Sequence, residues 1–222
     1  MRLVIFDLDG TLIDSEALIV ETITEAFKAV NEPVPDERAI RSISGITARD
    51  AMAILAPKAD QARVDVITES YRNQYRSGAG TAREPLFKGA LEALDQLQKD
   101  TDTILAVATG KGFSSAVTLL ERHGILARFN SVQTPTHNAG KPDPQMLETA
   151  MNKAGVGRGR TVMVGDTVHD MRMARAGGVK AIGVAWGYHE IDDLRAAGAD
   201  VVIERFDQLV SAVDDLLRAA DA

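Results

Sequence analysis

Short apolar runs constrain the fold of this 222-residue chain more than any other feature of its sequence. In chain order the runs are Val4–Phe6, Thr103–Ala108, Phe129–Val132, Thr161–Val164, Ala181–Val184 and Val201–Ile203. Between most of them, apolar residues recur three and four positions apart, which is the spacing of an amphipathic helix. Short strands that alternate with helices are typical of a mostly parallel sheet covered on both faces. The sequence therefore predicts an α/β fold.

The stretch 14–82 interrupts this alternation after a single strand, with four helical patterns and no convincing strand. Helix-start signals precede three of these patterns, at Asp14–Glu16, Asp36 and Thr47. The small residues Ser77–Thr81 predict a flexible loop before the chain returns to the sheet. We therefore expect a small all-α cap domain of four helices at 14–82. Residues 1–13 and 83–222 would form the core domain, with hinges near Ile13 and Arg83–Glu84.

Charge and composition exclude several classes of protein. The chain has 25 Lys and Arg against 32 Asp and Glu, a net charge of −7 that argues against nucleic-acid or anionic-membrane binding. It contains no cysteine, so disulfides and thiolate metal sites are excluded. No apolar stretch reaches the roughly 18 residues of a membrane span, and no signal peptide precedes the first run. We expect a cytoplasmic protein.

Polar residues stand where the apolar runs end. Asp7 follows the first run, and Asp9 comes two residues later. Thr109 and Asp166 each follow a later run, and in a parallel sheet such strand ends lie at one edge. Crowded carboxylates repel each other unless a proton or a cation lies between them. The Thr109–Gly110 turn offers a hydroxyl and free amides at a helix start, which suits a phosphate oxygen.

Two further residues extend this group of charges. Asp170 lies four positions after Asp166, so both carboxylates can face one side of an early helix. With Asp7 and Asp9 they bring together four carboxylates, which require compensation by a cation and by Lys141. Hard carboxylate oxygens without histidine or cysteine favour Mg²⁺. Each residue also has an ordinary explanation as a turn former, helix-start residue or loop lysine, but their shared sheet edge favours the functional interpretation.

Four segments of the chain carry a family resemblance. They are Asp7–Leu12, Ala108–Lys111, Gly140–Pro144 and Gly165–Asp170. These segments resemble the four motifs of the haloacid-dehalogenase-like hydrolase superfamily, in the family's order and at its spacings. The helical insert resembles the family's small cap, and the chain is most similar to the phosphoglycolate-phosphatase-like subgroup. The resemblance covers essentially the whole chain and implies a Rossmann-like core with an all-α cap.

The resemblance implies a role for each motif residue. Asp7 would attack phosphorus and form an aspartyl-phosphate. Asp9 would protonate the leaving alcohol and then activate water. Thr109, the Gly110 amide and Lys141 would hold the phosphoryl oxygens and offset developing charge.

The resemblance also implies a metal site. Mg²⁺ would be held by Asp7, Asp166 and the backbone at Leu8–Asp9, including the Leu8 carbonyl. Asp170 would either orient Lys141 or reach the metal through water.

In the cap, the resemblance points to a substrate loop that contains Gly45, Thr47 and Arg49. Arg49 either pairs with a second anionic group of the substrate or is an ordinary surface arginine. The roles of Trp186 and Tyr188, which follow a strand end near the site, are equally open, since these residues either line the site or cover the core. The four histidines lack metal-ligand spacing, and we expect them at the surface or in packing.

The implied function is that of a Mg²⁺-dependent phosphatase acting on a small phosphorylated metabolite, with 2-phosphoglycolate as a candidate, in a monomer or homodimer. A sugar-phosphate mutase of the same fold is the alternative. From a different class, a non-catalytic binding protein could have kept the fold. A haloacid dehalogenase is disfavoured because its chemistry has no use for the acid at Asp9. A phosphonate-cleaving enzyme is disfavoured because no lysine lies in the loop around Gly45.

Overall fold

The computed structural model describes residues 1–78 and 83–218, in which six strands and ten α-helices are present. The strands are β1 (Arg2–Phe6), β2 (Thr103–Ala108), β3 (Ser131–Gln133), β4 (Thr161–Gly165), β5 (Lys180–Val184) and β6 (Val201–Ile203). The helices are α1 (Glu16–Ala29), α2 (Glu37–Ser42), α3 (Ala48–Leu55), α4 (Gln61–Gly78), α5 (Ala90–Leu97), α6 (Phe113–Arg122), α7 (Gln145–Ala154), α8 (Val168–Gly177), α9 (Ile191–Ala197) and α10 (Leu209–Arg218). Each of the six apolar runs thus overlaps a strand, although β3 begins two residues later than the run Phe129–Val132, and the predicted α/β class is confirmed.

The six strands form one sheet in the order β3-β2-β1-β4-β5-β6, and all five neighbouring pairs are parallel. From β1 the chain builds outward through β2 to β3, and then returns to place β4 on the other side of β1. The winding direction therefore changes at β1. In such sheets a ligand crevice opens beyond the carboxyl ends of the strands where this change occurs.

Both faces of the sheet are buried because side chains alternate along each strand. In β1, Leu3 and Ile5 face a cluster formed with α7, α8 and α9. Val4 and Phe6 face the opposite cluster, formed with α5, α6 and α10. Burial on two faces explains why the strands read as continuous apolar runs rather than as alternating patterns.

Helices α1 to α4 share a hydrophobic cluster of their own, built on residues such as Ile23, Phe27, Ile40, Met52 and Ile67. The two linkers to the sheet run side by side. In them the Asp14 amide donates to the Pro85 carbonyl at 2.8 Å, and the Phe87 amide donates to the Leu12 carbonyl at 3.0 Å. The division into a cap at 14–82 and a core stays a prediction.

Two of the three predicted helix starts use their side chains as caps. Asp36 accepts a hydrogen bond from the Ala39 amide, and Thr47 accepts one from the Asp50 amide. Ser15 precedes α1 but makes no capping hydrogen bond. Its hydroxyl instead donates a hydrogen bond to Asp9 Oδ1.

The predicted flexible loop is wrong in its first part, because Ser77 and Gly78 belong to α4. The rest of that loop, and the predicted domain boundary at residue 82, lie outside the described residues. Among the helices that are described, none combines the length and the apolar character needed to cross a bilayer.

Candidate active site

The site begins at Asp7, directly after β1. The Asp7 amide donates to the Val164 carbonyl at 3.0 Å, so the pairing with β4 extends to this residue, and its side chain is buried. The Leu8 amide donates to Asp7 Oδ1 at 2.7 Å and orients the carboxylate. The Leu8 carbonyl accepts hydrogen bonds from the amides of residues 11–13, and its predicted part in a metal site stays a prediction. The Asp9 carbonyl accepts none from the part of the chain that is described, and it remains available.

Lys141 lies in the loop before α7 and forms two buried ion pairs. Its Nζ is 2.8 Å from Asp7 Oδ2 and 2.7 Å from Asp170 Oδ1. The other oxygen of Asp170 accepts hydrogen bonds from the Thr167 amide at 3.1 Å and the Thr167 hydroxyl at 2.7 Å. Thr167 and Asp170 form a capping box at the start of α8. Asp170 therefore stabilises the helix start and orients Lys141 at the same time.

Asp166 follows β4 and has no exposed surface. Its Oδ1 accepts from the Thr11 hydroxyl at 2.7 Å, and its Oδ2 accepts from the Tyr188 amide at 3.0 Å. One carboxylate oxygen each from Asp7, Asp166 and Asp170 lies within 4.8 Å of the other two. Within residues 1–78 and 83–218, no other group of three or more acids, histidines or cysteines has metal-site geometry.

The charges of this cluster do not balance, because three buried carboxylates face the single ammonium of Lys141. Burial raises the pKa of Asp7 to about 7, although Lys141 opposes the shift. Burial and the neighbouring Asp170 and Asp7 also raise the pKa of Asp166. Burial by itself would lower the pKa of Lys141, but Asp170 and Asp7 outweigh it and raise that pKa. A divalent cation would relieve the repulsion, and an all-oxygen donor set fits Mg²⁺.

Asp9 differs from these acids because its side chain is partly exposed, and like Asp7 it lines a cavity. Its Oδ1 accepts hydrogen bonds from the Ser15 hydroxyl at 2.6 Å and from Lys111 Nζ at 2.8 Å. The Ser15 hydroxyl is thus used to hold Asp9 rather than to cap α1. Tyr188 OH lies 3.1 Å from Ser15 Oγ and extends the network.

Thr109 and Gly110 line the same cavity as Asp7 and Asp9. Thr109 is buried at the end of β2, where its amide donates to the Gln133 carbonyl at 3.1 Å. Lys141 is not among the residues that line the cavity, and its ammonium is held between the carboxylates of Asp7 and Asp170 with no exposed side-chain surface. The structure therefore brings Thr109 and Gly110 to the cavity beside Asp7, whereas Lys141 contacts Asp7 without lining the cavity.

The loop of the helical insert lies directly against this edge. A Cβ atom added to Gly110 would lie 2.6 Å from the Ile46 carbonyl oxygen, and one added to Gly140 would lie 2.7 Å from Thr47 Cγ2. Gly45 has a φ of +87°, a conformation that side chains disfavour. Glycines on both sides thus permit a contact too close for any other residue.

Between the insert and the sheet edge lies a cavity of about 740 Å³. Its floor includes Asp7 and Asp9, and its walls include Thr47, Arg49, Tyr71, Tyr75, Phe113 and Arg122. Arg49 lines this cavity but also pairs with Asp65, its Nε lying 2.8 Å from Asp65 Oδ1. A substrate role for Arg49 therefore stays a prediction.

Sequence reasoning assigned no role to several residues of the site. Ser15 and Lys111 both contact Asp9. The only sequence signal for either residue was its position, Ser15 at a helix start and Lys111 within a motif. The two aromatic residues after β5 were expected either to line the site or to cover the core, and each does one of these. The Trp186 ring nitrogen donates to the Thr11 carbonyl at 3.0 Å while the ring packs in the core, whereas Tyr188 reaches the site.

Comparisons with known proteins agree with this geometry. Residues 4–184 match the family model described as haloacid dehalogenase-like hydrolase. The chain is 39% identical to "Probable phosphatase IndB" of Dickeya dadantii (strain 3937), an alignment covering 99% of this chain and 96% of the relative. It is 32% identical to a phosphoglycolate phosphatase of Agrobacterium fabrum (strain C58), covering 97% and 93%. The solved structure of a hydrolase from Pseudomonas syringae superposes with a TM-score of 0.86 at 27% identity, covering 97% and 99%.

Proposed function

The chain belongs to the haloacid dehalogenase-like hydrolase family and is a phosphoric monoester hydrolase, and we propose that it works through an aspartyl-phosphate on Asp7. One observation carries this proposal. Asp7 is buried at the end of the central strand, is oriented by the Leu8 amide, and borders the cavity while paired with Lys141 at 2.8 Å. A fixed carboxylate at the floor of a cavity is what in-line attack on a phosphate ester requires.

In the proposed reaction, an Asp7 oxygen forms a bond to phosphorus as the bond from phosphorus to the ester oxygen breaks. Asp9 gives its proton to the leaving alcohol. The Asp9 carboxylate then takes a proton from a water molecule, which attacks phosphorus and releases phosphate from Asp7. Ser15 and Lys111 both bind Asp9 Oδ1, so we assign both proton transfers to Oδ2.

We propose Mg²⁺ as the cofactor, held by Asp7, Asp166 and the Asp9 backbone carbonyl, with Asp170 acting through Lys141 or through water. The support is the close approach of three carboxylates that Lys141 alone does not neutralise. When bound, the metal would offset charge on the phosphoryl oxygens. Thr109 and the Gly110 amide line the cavity beside Asp7 and are the proposed contacts for these oxygens. Chelator should abolish activity, and added Mg²⁺ should restore it.

The proposed substrate is a small phosphorylated metabolite. 2-Phosphoglycolate is the first compound to test, because the Agrobacterium relative is named for it. The cavity of about 740 Å³ falls within the range of about 300–1,000 Å³ that suits larger ligands, so esters of bulkier alcohols belong in the same screen. Ranking by kcat/KM, with analysis of the products, separates phosphate release from isomerisation. A cytoplasmic location and a monomer or homodimer stay predictions.

The decisive experiment replaces the proposed nucleophile. Asp7→Asn should abolish hydrolysis of an aryl phosphate, because a neutral amide is a poor nucleophile and does not form an aspartyl-phosphate. Acid quenching of the wild-type reaction followed by mass spectrometry should find a phosphorylated peptide that contains Asp7.

The matched control is Asp14→Asn, which removes an exposed acid at the end of the same turn. It should retain activity. Full activity in Asp7→Asn, or phosphate found only on another residue, would overturn the mechanism.

A further inference from the structure

Lys111, between β2 and α6, holds its charge in an almost enclosed position, with 9% of its side chain exposed. Its Nζ lies 2.8 Å from Asp9 Oδ1, 3.9 Å from Glu84 Oε1 and 4.5 Å from the centroid of the Tyr75 ring. Lysine is rarely buried unless it is paired, since an isolated buried charge is costly. Burial alone would lower the pKa of Lys111, but Asp9 and the surrounding groups raise it. Lys111 is therefore a charged partner of Asp9.

Glu84 connects Lys111 to the rest of the molecule. This residue lies in the second linker and has no exposed surface. Its carboxylate accepts a hydrogen bond from the Tyr75 hydroxyl and lies 3.6 Å from Arg122 Nη1. Its backbone carbonyl is 2.8 Å from His123 Nε2, so the main chain is held as well. Because Tyr75 belongs to α4, this network joins Lys111 to the helical insert.

The two oxygens of Asp9 are in different environments. Lys111 and Ser15 both contact Oδ1. In the described part of the chain, Oδ2 has no hydrogen-bond partner. Two contacts on one oxygen fix the rotation of the carboxyl group and leave the other oxygen free beside the cavity.

We propose that Lys111 is a positioning residue that directs Asp9 Oδ2 toward the leaving-group oxygen, and that Glu84 and Tyr75 hold Lys111 in place through α4. The proposal rests on the proposed role of Asp9 as general acid. Lys111 transfers no proton in this scheme. It determines where the proton of Asp9 is delivered, and it ties that delivery to the placement of the insert on the core.

Leaving-group dependence tests the proposal. A general acid matters most when the leaving group is a poor one, so phenyl phosphate should depend on Asp9 more than p-nitrophenyl phosphate does. Phenol has a pKa close to that of tyrosine, about 10, and nitrophenol is far more acidic. The value of kcat/KM reports the step that breaks the ester bond. The two esters have similar shapes, so their ratio isolates the proton transfer.

We expect Asp9→Asn to lose on the order of 100-fold in kcat/KM with phenyl phosphate and much less with p-nitrophenyl phosphate. Lys111→Met should lose roughly tenfold with phenyl phosphate and less than about threefold with p-nitrophenyl phosphate, with little change in KM. Tyr75→Phe, which keeps the ring and removes the hydroxyl, should show the same selectivity at a smaller size. The control is Lys99→Met at an exposed lysine, which should match wild type on both esters.

Three results would contradict these roles. Equal losses on both esters in Lys111→Met, with selective losses in Asp9→Asn, would overturn the positioning role of Lys111 and leave the proposed function intact. No selectivity in Asp9→Asn would overturn the acid role of Asp9 and the positioning role with it. Wild-type behaviour in Tyr75→Phe would overturn the link to α4. If thermal melting shows Lys111→Met unfolded, Lys111→Gln is held to the same expectation.

Discussion

At the scale of single residues, Asp7 meets two opposing demands. Burial favours its neutral form and raises its pKa to about 7. Nucleophilic attack requires the ionised form. Lys141 at 2.8 Å favours ionisation, and the proposed metal would add to that effect. The proposed metal would therefore favour the ionised form that attack on phosphorus requires.

A pH dependence of stability follows from this residue. Without divalent metal, we expect the free energy of unfolding to fall as pH rises from 3.8 to about 7, because folded Asp7 keeps a proton that the unfolded chain releases. Below this window both states are protonated, and the full stabilising effect is present. The raised pKa of Asp166 acts in the same direction. Urea denaturation across this range, in chelator, measures the slope.

Asp7→Asn serves as the comparison, since an amide does not titrate and the decline should be shallower. Added Mg²⁺ should stabilise wild type more near pH 7 than near pH 5, because protons compete for the same carboxylate. Identical pH profiles for the two proteins would show that Asp7 does not titrate in this window.

At the scale of elements, two helix starts use equivalent caps in different surroundings. Thr167 caps α8 inside the site and also binds Asp170 Oδ2, which fixes the acid that holds Lys141. Asp36 caps α2 at the surface of the insert. The same local motif therefore has a catalytic consequence only in α8.

Removing each cap should separate stability from activity. Thr167→Ala and Asp36→Ala should each lower the free energy of unfolding by about 1 kcal/mol. Only Thr167→Ala should also lower kcat, because Asp170 and Lys141 lose part of their support. Chemical denaturation and aryl-phosphate turnover provide the two measurements. A kcat loss of the same size in both variants would show that helix stability, rather than the position of Asp170, is responsible.

At the scale of the whole molecule, the insert closes on the sheet edge through backbone contacts. Gly110 lies against the carbonyls of Gly45 and Ile46, where a Cβ atom would come within 2.8 Å and 2.6 Å. Gly112, two residues away, has only Thr136 Oγ1 near its Cβ position, at 4.0 Å. The two glycines form a matched pair that differs in contact with the insert.

Gly110→Ala should push the insert loop away from the core, while the backbone amide of residue 110 is kept. We expect a clear loss of kcat/KM, because closure excludes water and completes the cavity. Gly112→Ala should differ little from wild type. Hydrogen exchange of the loop around residues 44–47, measured beside the kinetics, should rise only in Gly110→Ala. Unchanged exchange and activity in that variant would show that closure is not required.

Much of the fold could be predicted because its signals are local. Thr103–Ala108 is apolar over its whole length and forms β2 with those same bounds. The end of α4 was misjudged because serine and glycine favour helices weakly. Tyr75, two residues before Ser77, is buried against Glu84, and the helix continues past it to Gly78. Tertiary contact overrode local propensity there.

The sequence by itself determined which residues end the strands, and hence that Asp7, Thr109 and Asp166 would meet at one edge. Only the tertiary structure decided their partners. Lys111 reaches Asp9 across 102 positions, and the Ser15 hydroxyl serves Asp9 instead of its own helix. The physical reason is that strand formation depends on neighbours in sequence, whereas ion pairing and burial depend on distances that exist only after the chain has packed.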